Sequence, residues 1–298
     1  MSGFPRRRFL AAGGALALSA CAGPGGLDPF APKRESGYVD VENGRLYYES
    51  AGSGTPVVFL HAFALDTRMW DDQFEALARE FRVVRYDLRG FGRSTVPQAG
   101  RPYSHVDDLA ALLAKLDAHR PHLVGASMGG RCALDFAVTQ PDALRSVIAI
   151  DTVIGGWPWS RAWVEAYSPV IQAGRRGDVA AAKAAWLALP LFAPARANKQ
   201  VDARLTRMVE DYSGWHFVNA DPERRVAPPT LAQLGKIRAP TLAMVGDGDL
   251  PEFHRMAEAV ERQVANARRL TVPAAGHLAS MESPELVTKS LRAFFARA

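Results

Sequence analysis

Serine, aspartate and histidine, in that order along the chain, are the side chains whose types and spacing could do covalent chemistry. The segment Gly125-Ala-Ser127-Met-Gly129 follows the apolar run Leu123-Val124 directly and opens a helical pattern. A G-x-S-x-G placed between strand and helix holds its serine on a tight turn, where flanking side chains would collide with both elements and glycine avoids the collision. A serine hydroxyl attacks poorly unless a base takes its proton, so a histidine is expected downstream, after an acid. Of seven histidines, His61, His105, His119 and His122 precede Ser127, leaving His216, His254 and His277. His277, in Ala275-Gly-His-Leu278, lies in a loop after the strand pattern Arg269–Val272, at the carboxyl edge of a sheet. His254 falls in a helical pattern and His216 in an irregular helical interval, where packing or solvent accounts for them. The acid is expected in Gly246-Asp-Gly-Asp249, after the run Thr241–Val245. Asp249, further into the loop, can reach over to orient the imidazole, while Asp247 shapes the turn. Asp151, at the end of the preceding strand pattern, is a third candidate.

The elements that must position these residues are legible in the hydrophobic pattern. Tyr38–Glu42 and Arg45–Glu49 alternate and are joined by Asn43-Gly44, a strong hairpin signal. Val57–Leu60, Arg82–Tyr86, His122–Gly125, Val147–Ile150, Thr241–Val245 and Arg269–Val272 are short apolar runs suited to strands buried on both faces. Helical patterns intervene at about 70–80, 106–118, 130–140, 252–265 and 284–297. This alternation predicts an α/β fold with a mostly parallel central sheet, right-handed crossovers and flanking helices. Residues 152–235 break it: the interval is helical, irregular and holds five of the six tryptophans. It reads as a helical lid inserted at the carboxyl ends of the strands, between core segments 37–151 and 236–298.

With 48% hydrophobic and 22% charged residues, the 298-residue chain falls in the globular range. Its formal charge of +5 owes much to Arg6, Arg7 and Arg8; without residues 1–20 there remain 33 basic and 31 acidic residues. That balance leaves no footprint for nucleic acid. Two cysteines, Cys21 and Cys132, form neither a disulfide framework nor a zinc motif, so no metal or cofactor is expected. Cys132 reads as a small apolar residue of a buried helix. Pro5-Arg-Arg-Arg-Phe-Leu10 and the small, apolar run to Ala20 resemble a twin-arginine export signal, too short to span a bilayer that needs about 20 residues. Leu18-Ser-Ala-Cys21 resembles a lipobox, which implies lipidation of Cys21, with residues 22–36 as a Gly/Pro-rich tether and the protein exported to a bacterial envelope membrane. A simple small-residue cleavage site, giving a soluble periplasmic protein, is the alternative.

From about residue 38 onward the chain resembles the α/β-hydrolases of the esterase, haloperoxidase-like and enol-lactonase type. The resemblance is carried by His61-Ala-Phe-Ala64, Tyr86-Asp-Leu-Arg-Gly-Phe-Gly-Arg-Ser94, the turn at Ser127, Gly246-x-x-Asp249 and Gly276-His277. It implies an oxyanion hole formed by the backbone N–H groups of Phe63 and Met128, in a loop where the family usually has His-Gly and this chain has His61-Ala62. His61 is expected to be structural, and Asp87, Arg89 and Ser94 to brace the loop. A serine at the turn disfavours the dehalogenase and epoxide hydrolase chemistry of relatives that use aspartate. The resemblance implies a serine hydrolase acting on a small carboxylic ester or lactone, with Ser127, His277 and Asp249 as catalytic residues. Alternatives on the same triad are C–C bond hydrolysis, acyl transfer and cofactor-free perhydrolysis; a low-turnover ligand-binding lipoprotein is the alternative from another class.

Overall fold

The computed structural model describes Met1, Gly3 and residues 32–298. Cys21, the export signal and most of the tether expected from the sequence lie outside the described residues. Eight strands form one sheet in the order β1-β2-β4-β3-β5-β6-β7-β8. The first two, β1 (Arg34–Val41) and β2 (Gly44–Ala51), are a hairpin, and β2 pairs antiparallel with β4 (Arg82–Tyr86). All later neighbours are parallel: β3 (Pro56–Leu60), β5 (His122–Ala126), β6 (Ser146–Ile150), β7 (Thr241–Gly246) and β8 (Ala267–Val272).

Three expectations shift. Arg34–Ser36, expected in the tether, pair with Glu49–Ala51 and belong to β1. Val41 pairs with Gly44, so the hairpin turn is Glu42-Asn43, with Asn43 supplying the left-handed conformation at φ 59°. Strand β8 is not buried on both faces: it is the last strand of the sheet, and Arg268 and Arg269 are exposed. An edge strand has a neighbour on one side only, and charged residues there block pairing with other chains.

Helices α1 (Asp71–Leu77), α2 (His105–Lys115) and α3 (Met128–Thr139) follow β3, β4 and β5. Because β3, β5, β6 and β7 are central, every residue of β5, β6 and β7 is buried. The sheet order reverses at β3, which sets the loop after β3 beside the turn after β5 at the carboxyl ends of the strands. In open α/β sheets such a switch point is where ligands bind.

The interval between β6 and β7 is helical: α4 (Arg161–Arg175), α5 (Val179–Leu187), α6 (Ala193–Ala197), α7 (Lys199–Asp211) and α8 (Trp215–Val218). Ion pairs tie this insertion to the core, Arg204 to Asp72 at 2.7 Å and Asp211 to Arg68 at 2.8 Å. Helices α9 (Pro251–Gln263), α10 (Ala279–Glu282) and α11 (Pro284–Phe295) complete the layer pattern. Among the described residues no helix is long and apolar enough to cross a membrane.

Candidate active site

Ser127 sits on the one-residue turn between β5 and α3, with φ 50° and ψ −112°. A non-glycine residue in this region is strained, and the strain persists because the surroundings over-determine it. Its N–H donates to the Ile150 carbonyl at 2.9 Å, and its own carbonyl accepts from Arg131 and Val153. The flanking glycines are required by close approach: a Cβ on Gly125 would lie 2.2 Å from the Gly129 carbonyl oxygen, and one on Gly129 would lie 2.2 Å from that of Leu60. The turn thus packs backbone against backbone on both sides, which only glycine permits.

The His277 loop crosses from β8 to the same place. His277 Nε2 is 2.9 Å from Ser127 Oγ, and Nδ1 is 2.9 Å from Asp249 Oδ2. All three residues are buried, so their interactions act in a low dielectric. Burial alone would push the imidazole down; the Asp249 carboxylate outweighs it, and the His277 pKa lies above the ordinary histidine value. The other Asp249 oxygen accepts the Leu250 N–H at 2.7 Å, which fixes the carboxylate. The ring of Phe253, on α9, covers the imidazole at 4.1 Å between centroids.

The other two acids do not reach His277 by a hydrogen bond. Asp247 accepts the Ala275 N–H at 3.2 Å, so it braces the His277 loop as well as standing in its own turn. Asp151 is fully buried at φ 45°, and its two oxygens accept the N–H groups of Gly246 at 2.9 Å and Ala279 at 3.0 Å. It ties the end of β6 to the chain just before the Asp249 loop and just after His277. Burial, then the neighbouring Asp249 charge, raises its carboxyl to about 8.

Phe63 and Met128 line the cavity that holds Ser127 and His277. Met128 opens α3, where first-turn N–H groups have no intrahelical acceptor and the helix dipole is positive. The loop carrying Phe63 is a turn closed by the Leu65 N–H on the Ala62 carbonyl. Its left-handed residue is Ala64 (φ 61°), so alanine at position 62 needs no glycine conformation. Behind it, His61 Nε2 accepts the Leu88 N–H at 2.9 Å. The two Asp87 oxygens hold the N–H groups of Thr67 and Arg93, Arg89 is paired with Asp108 at 2.6 Å, and Ser94 bonds the Asp87 carbonyl. These four side chains brace the loops and do not reach Ser127 by a hydrogen bond.

Lid and core enclose a cavity of about 220 Å³ over Ser127. Three of the five lid tryptophans, Trp159, Trp163 and Trp186, line it; Trp159 stacks on Trp163 at 4.9 Å. His216, whose imidazole burial depresses to about 4, stacks on Phe91 at 4.5 Å. His254 lies on α9, outside the cavity lining. Cys132 is buried in α3, and burial pushes its thiol up to about 12. Sequence reasoning missed the charged part of the lining, Arg131 with Glu223. Its signal was present: Arg131 and Asp135, four apart, stand in the otherwise apolar helix that follows Ser127. Among the described residues no cluster of three or more His, Cys, Asp or Glu is placed to hold a metal ion.

Residues 55–284 match the family model of the alpha/beta hydrolase fold, and the chain belongs to that family. A thermophilic esterase from Thermogutta terrifontis is 30% identical in sequence; the match covers 89% of this chain and 98% of that one, with a TM-score of 0.74. The 3-oxoadipate enol-lactonase 1 of Acinetobacter baylyi is 26% identical over 231 residues, 77% of this chain and 84% of its own. The enol-lactonase of Burkholderia xenovorans LB400, at 24% identity and TM-score 0.72, shares the fold over 88% of this chain and all of its own.

Proposed function

We propose that this protein is a serine hydrolase that cleaves a small carboxylic ester or lactone through an acyl-enzyme on Ser127. The observation that carries the reading is the unbroken line from Asp249 through His277 to Ser127, with 2.9 Å at each step. Ser127 Oγ attacks the acyl carbon as its proton passes to His277 Nε2. The oxyanion that forms is stabilised by the N–H groups of Phe63 and Met128, two residues that line the cavity with Ser127. Collapse of the intermediate breaks the bond to the leaving oxygen, which takes the proton from His277. Water, deprotonated by the same imidazole, then releases the acid and restores the serine. Asp249 holds the imidazole in the tautomer whose Nε2 lone pair faces the serine. Esterase and enol-lactonase relatives favour this reading, as does the aromatic lining of the cavity, which suits an apolar acyl or alcohol group.

A fluorophosphonate should label the wild-type protein once, and Ser127→Ala should abolish both labelling and ester turnover. Labelling that survives the substitution refutes the assignment. For location, we propose membrane attachment through a lipid on Cys21; its support is the lipobox resemblance in the sequence alone.

A further inference from the structure

We infer that the cavity over Ser127 selects an ester or lactone whose remote end carries a neutral hydrogen-bonding group, a hydroxyl or an amide, and turns away a carboxylate. This deepens the hydrolase reading and rests on it. Apart from its apolar lining, the cavity is bounded by His105, Arg131, His216, Asp221, Glu223 and Arg225. The charges in this part are already committed. The Arg131 guanidinium, with 5% of its side chain exposed, holds Asp135 at 3.0 Å and Glu223 at 2.8 Å. Glu223, 4% exposed, also faces Arg225 at 3.3 Å. Asp221 accepts the Tyr103 hydroxyl at 3.0 Å and the Glu223 N–H at 3.2 Å. The lining thus holds two carboxylates and two guanidiniums; both guanidiniums face Glu223, with Arg131 also holding Asp135, while Asp221 is met by O–H and N–H donors.

A substrate carboxylate entering here would lose its water and meet Asp221, with both guanidiniums already facing Glu223. The two histidines offer something different. Burial drives His105 down to about 3 and His216 to about 4, so both are neutral at pH 7. A neutral imidazole carries one donor and one acceptor, which suits a dipole rather than an ion. His105 is 3% exposed, and its Nδ1 has no hydrogen-bond partner among the described residues. His216 Nδ1 is engaged by the Tyr212 hydroxyl at 2.7 Å, while its Nε2 lies 4.0 Å from Asp221, beyond hydrogen-bond reach. The capacity left open at these two imidazoles is met by a ligand group that both gives and takes a hydrogen bond without bringing charge.

The test is a matched series of aryl esters with one chain length, ending in a primary amide, a carboxylate, an ammonium or a methyl group. With wild-type protein, kcat/KM for the amide should exceed that for the carboxylate by at least about tenfold, and the ammonium should stand above the carboxylate as well. Glu223→Gln, which removes one negative charge, should narrow the amide-to-carboxylate ratio. His105→Phe should lower the amide-to-methyl ratio. A carboxylate ester turned over as well as the amide, or better than the ammonium, overturns the inference, as do ratios unmoved in both variants. Should either variant fail to fold, the wild-type ratios decide alone. Turnover of the methyl-ended ester with flat ratios leaves the hydrolase reading intact and sinks only this one. If no ester turns over, the hydrolase reading fails, and calorimetric titration with methyl ketones bearing the same four ends still ranks the head groups. Equal affinities there overturn the inference.

Discussion

Replacing Asp249 by asparagine changes one atom at the far end of the catalytic line, and the structure dictates how the amide must sit. Both Asp249 oxygens face donors, His277 Nδ1 at 2.9 Å and the Leu250 N–H at 2.7 Å. An amide has one acceptor and one donor. With its oxygen toward His277, the Leu250 N–H is left opposite an NH₂ group, an unsatisfied contact worth about 1–3 kcal/mol. With its oxygen toward Leu250, its NH₂ donates to Nδ1, the imidazole proton moves to Nε2, and every group is satisfied except the catalytic one. Ser127 Oγ then meets an N–H in place of a lone pair. A preference of about 1–3 kcal/mol for that orientation leaves the working tautomer depleted about 5- to 150-fold. The imidazolium formed during attack also loses the carboxylate that raises its pKa. In serine proteases the same exchange costs about four orders of magnitude in kcat, or about 5.4 kcal/mol. The expected loss for Asp249→Asn is therefore about 10³- to 10⁴-fold in kcat on a simple aryl ester, with thermal stability changed by less than about 1 kcal/mol. A kcat within tenfold of wild type, in a protein that melts normally, would falsify the assignment of Asp249.

Three further outcomes follow from the same contacts. Because the His277 pKa lies above 6.5 and the base must be neutral to act, activity should be full above that pKa and fall as pH drops through it, with a midpoint above 6.5; a pH–rate profile with its acid limb at or below 6 contradicts this. Asp151→Asn supplies one acceptor where the Gly246 and Ala279 N–H groups need two, so it should cost about 1–3 kcal/mol of stability, read as a lower melting temperature, while reducing kcat far less than Asp249→Asn; the reverse ranking in kcat would make Asp151 the acid. Cys21→Ala should abolish membrane partitioning in a host with twin-arginine export, and equal partitioning of both forms removes the lipid anchor.

The parallel core was readable because burial on both faces imposes runs such as Val57–Leu60 and Val147–Ile150, and the helices between them carry a different period. Their ends in the structure differ from the pattern by up to three residues. What the pattern could not place was local. Gly44 belongs to β2 because Asn43 alone adopts the left-handed conformation, a choice between two turn residues that share the same propensity. Exposure of β8 depends on its being last in the sheet, which is a property of topology and not of residues 267–272. Ser127, His277 and Asp249 were legible because each follows a strand and chain order restricts the choice. The bracing roles of Asp151 and Asp247 were not, since which N–H each carboxylate meets is decided by loops that meet only in three dimensions.

The charged part of the cavity presents the same problem from the other side. A buried ion pair is weak evidence for stability, because desolvation offsets most of its attraction and apolar replacements of equal volume are often as stable. Arg131, Asp135 and Glu223 are therefore poorly explained as fold stabilisers, least of all on α3, where every residue from Gly129 to Val138 is buried. Their position gives a better account. Arg131 lies four residues after Ser127, one helical turn from the nucleophile, and Glu223 is brought to it by a lid segment joined to the core through the Tyr103–Glu223 bridge. The pair thus links the lid to the helix that presents Ser127 while it shapes the wall of the cavity. Exchanging it for apolar residues would leave Asp221 and Arg225 as the charges of the lining and take from Arg225 the carboxylate it faces. The cost of burying these charges is consistent with a site that discriminates by hydrogen bonding, where an incoming carboxylate finds both guanidiniums already engaged and a neutral polar group finds a partner.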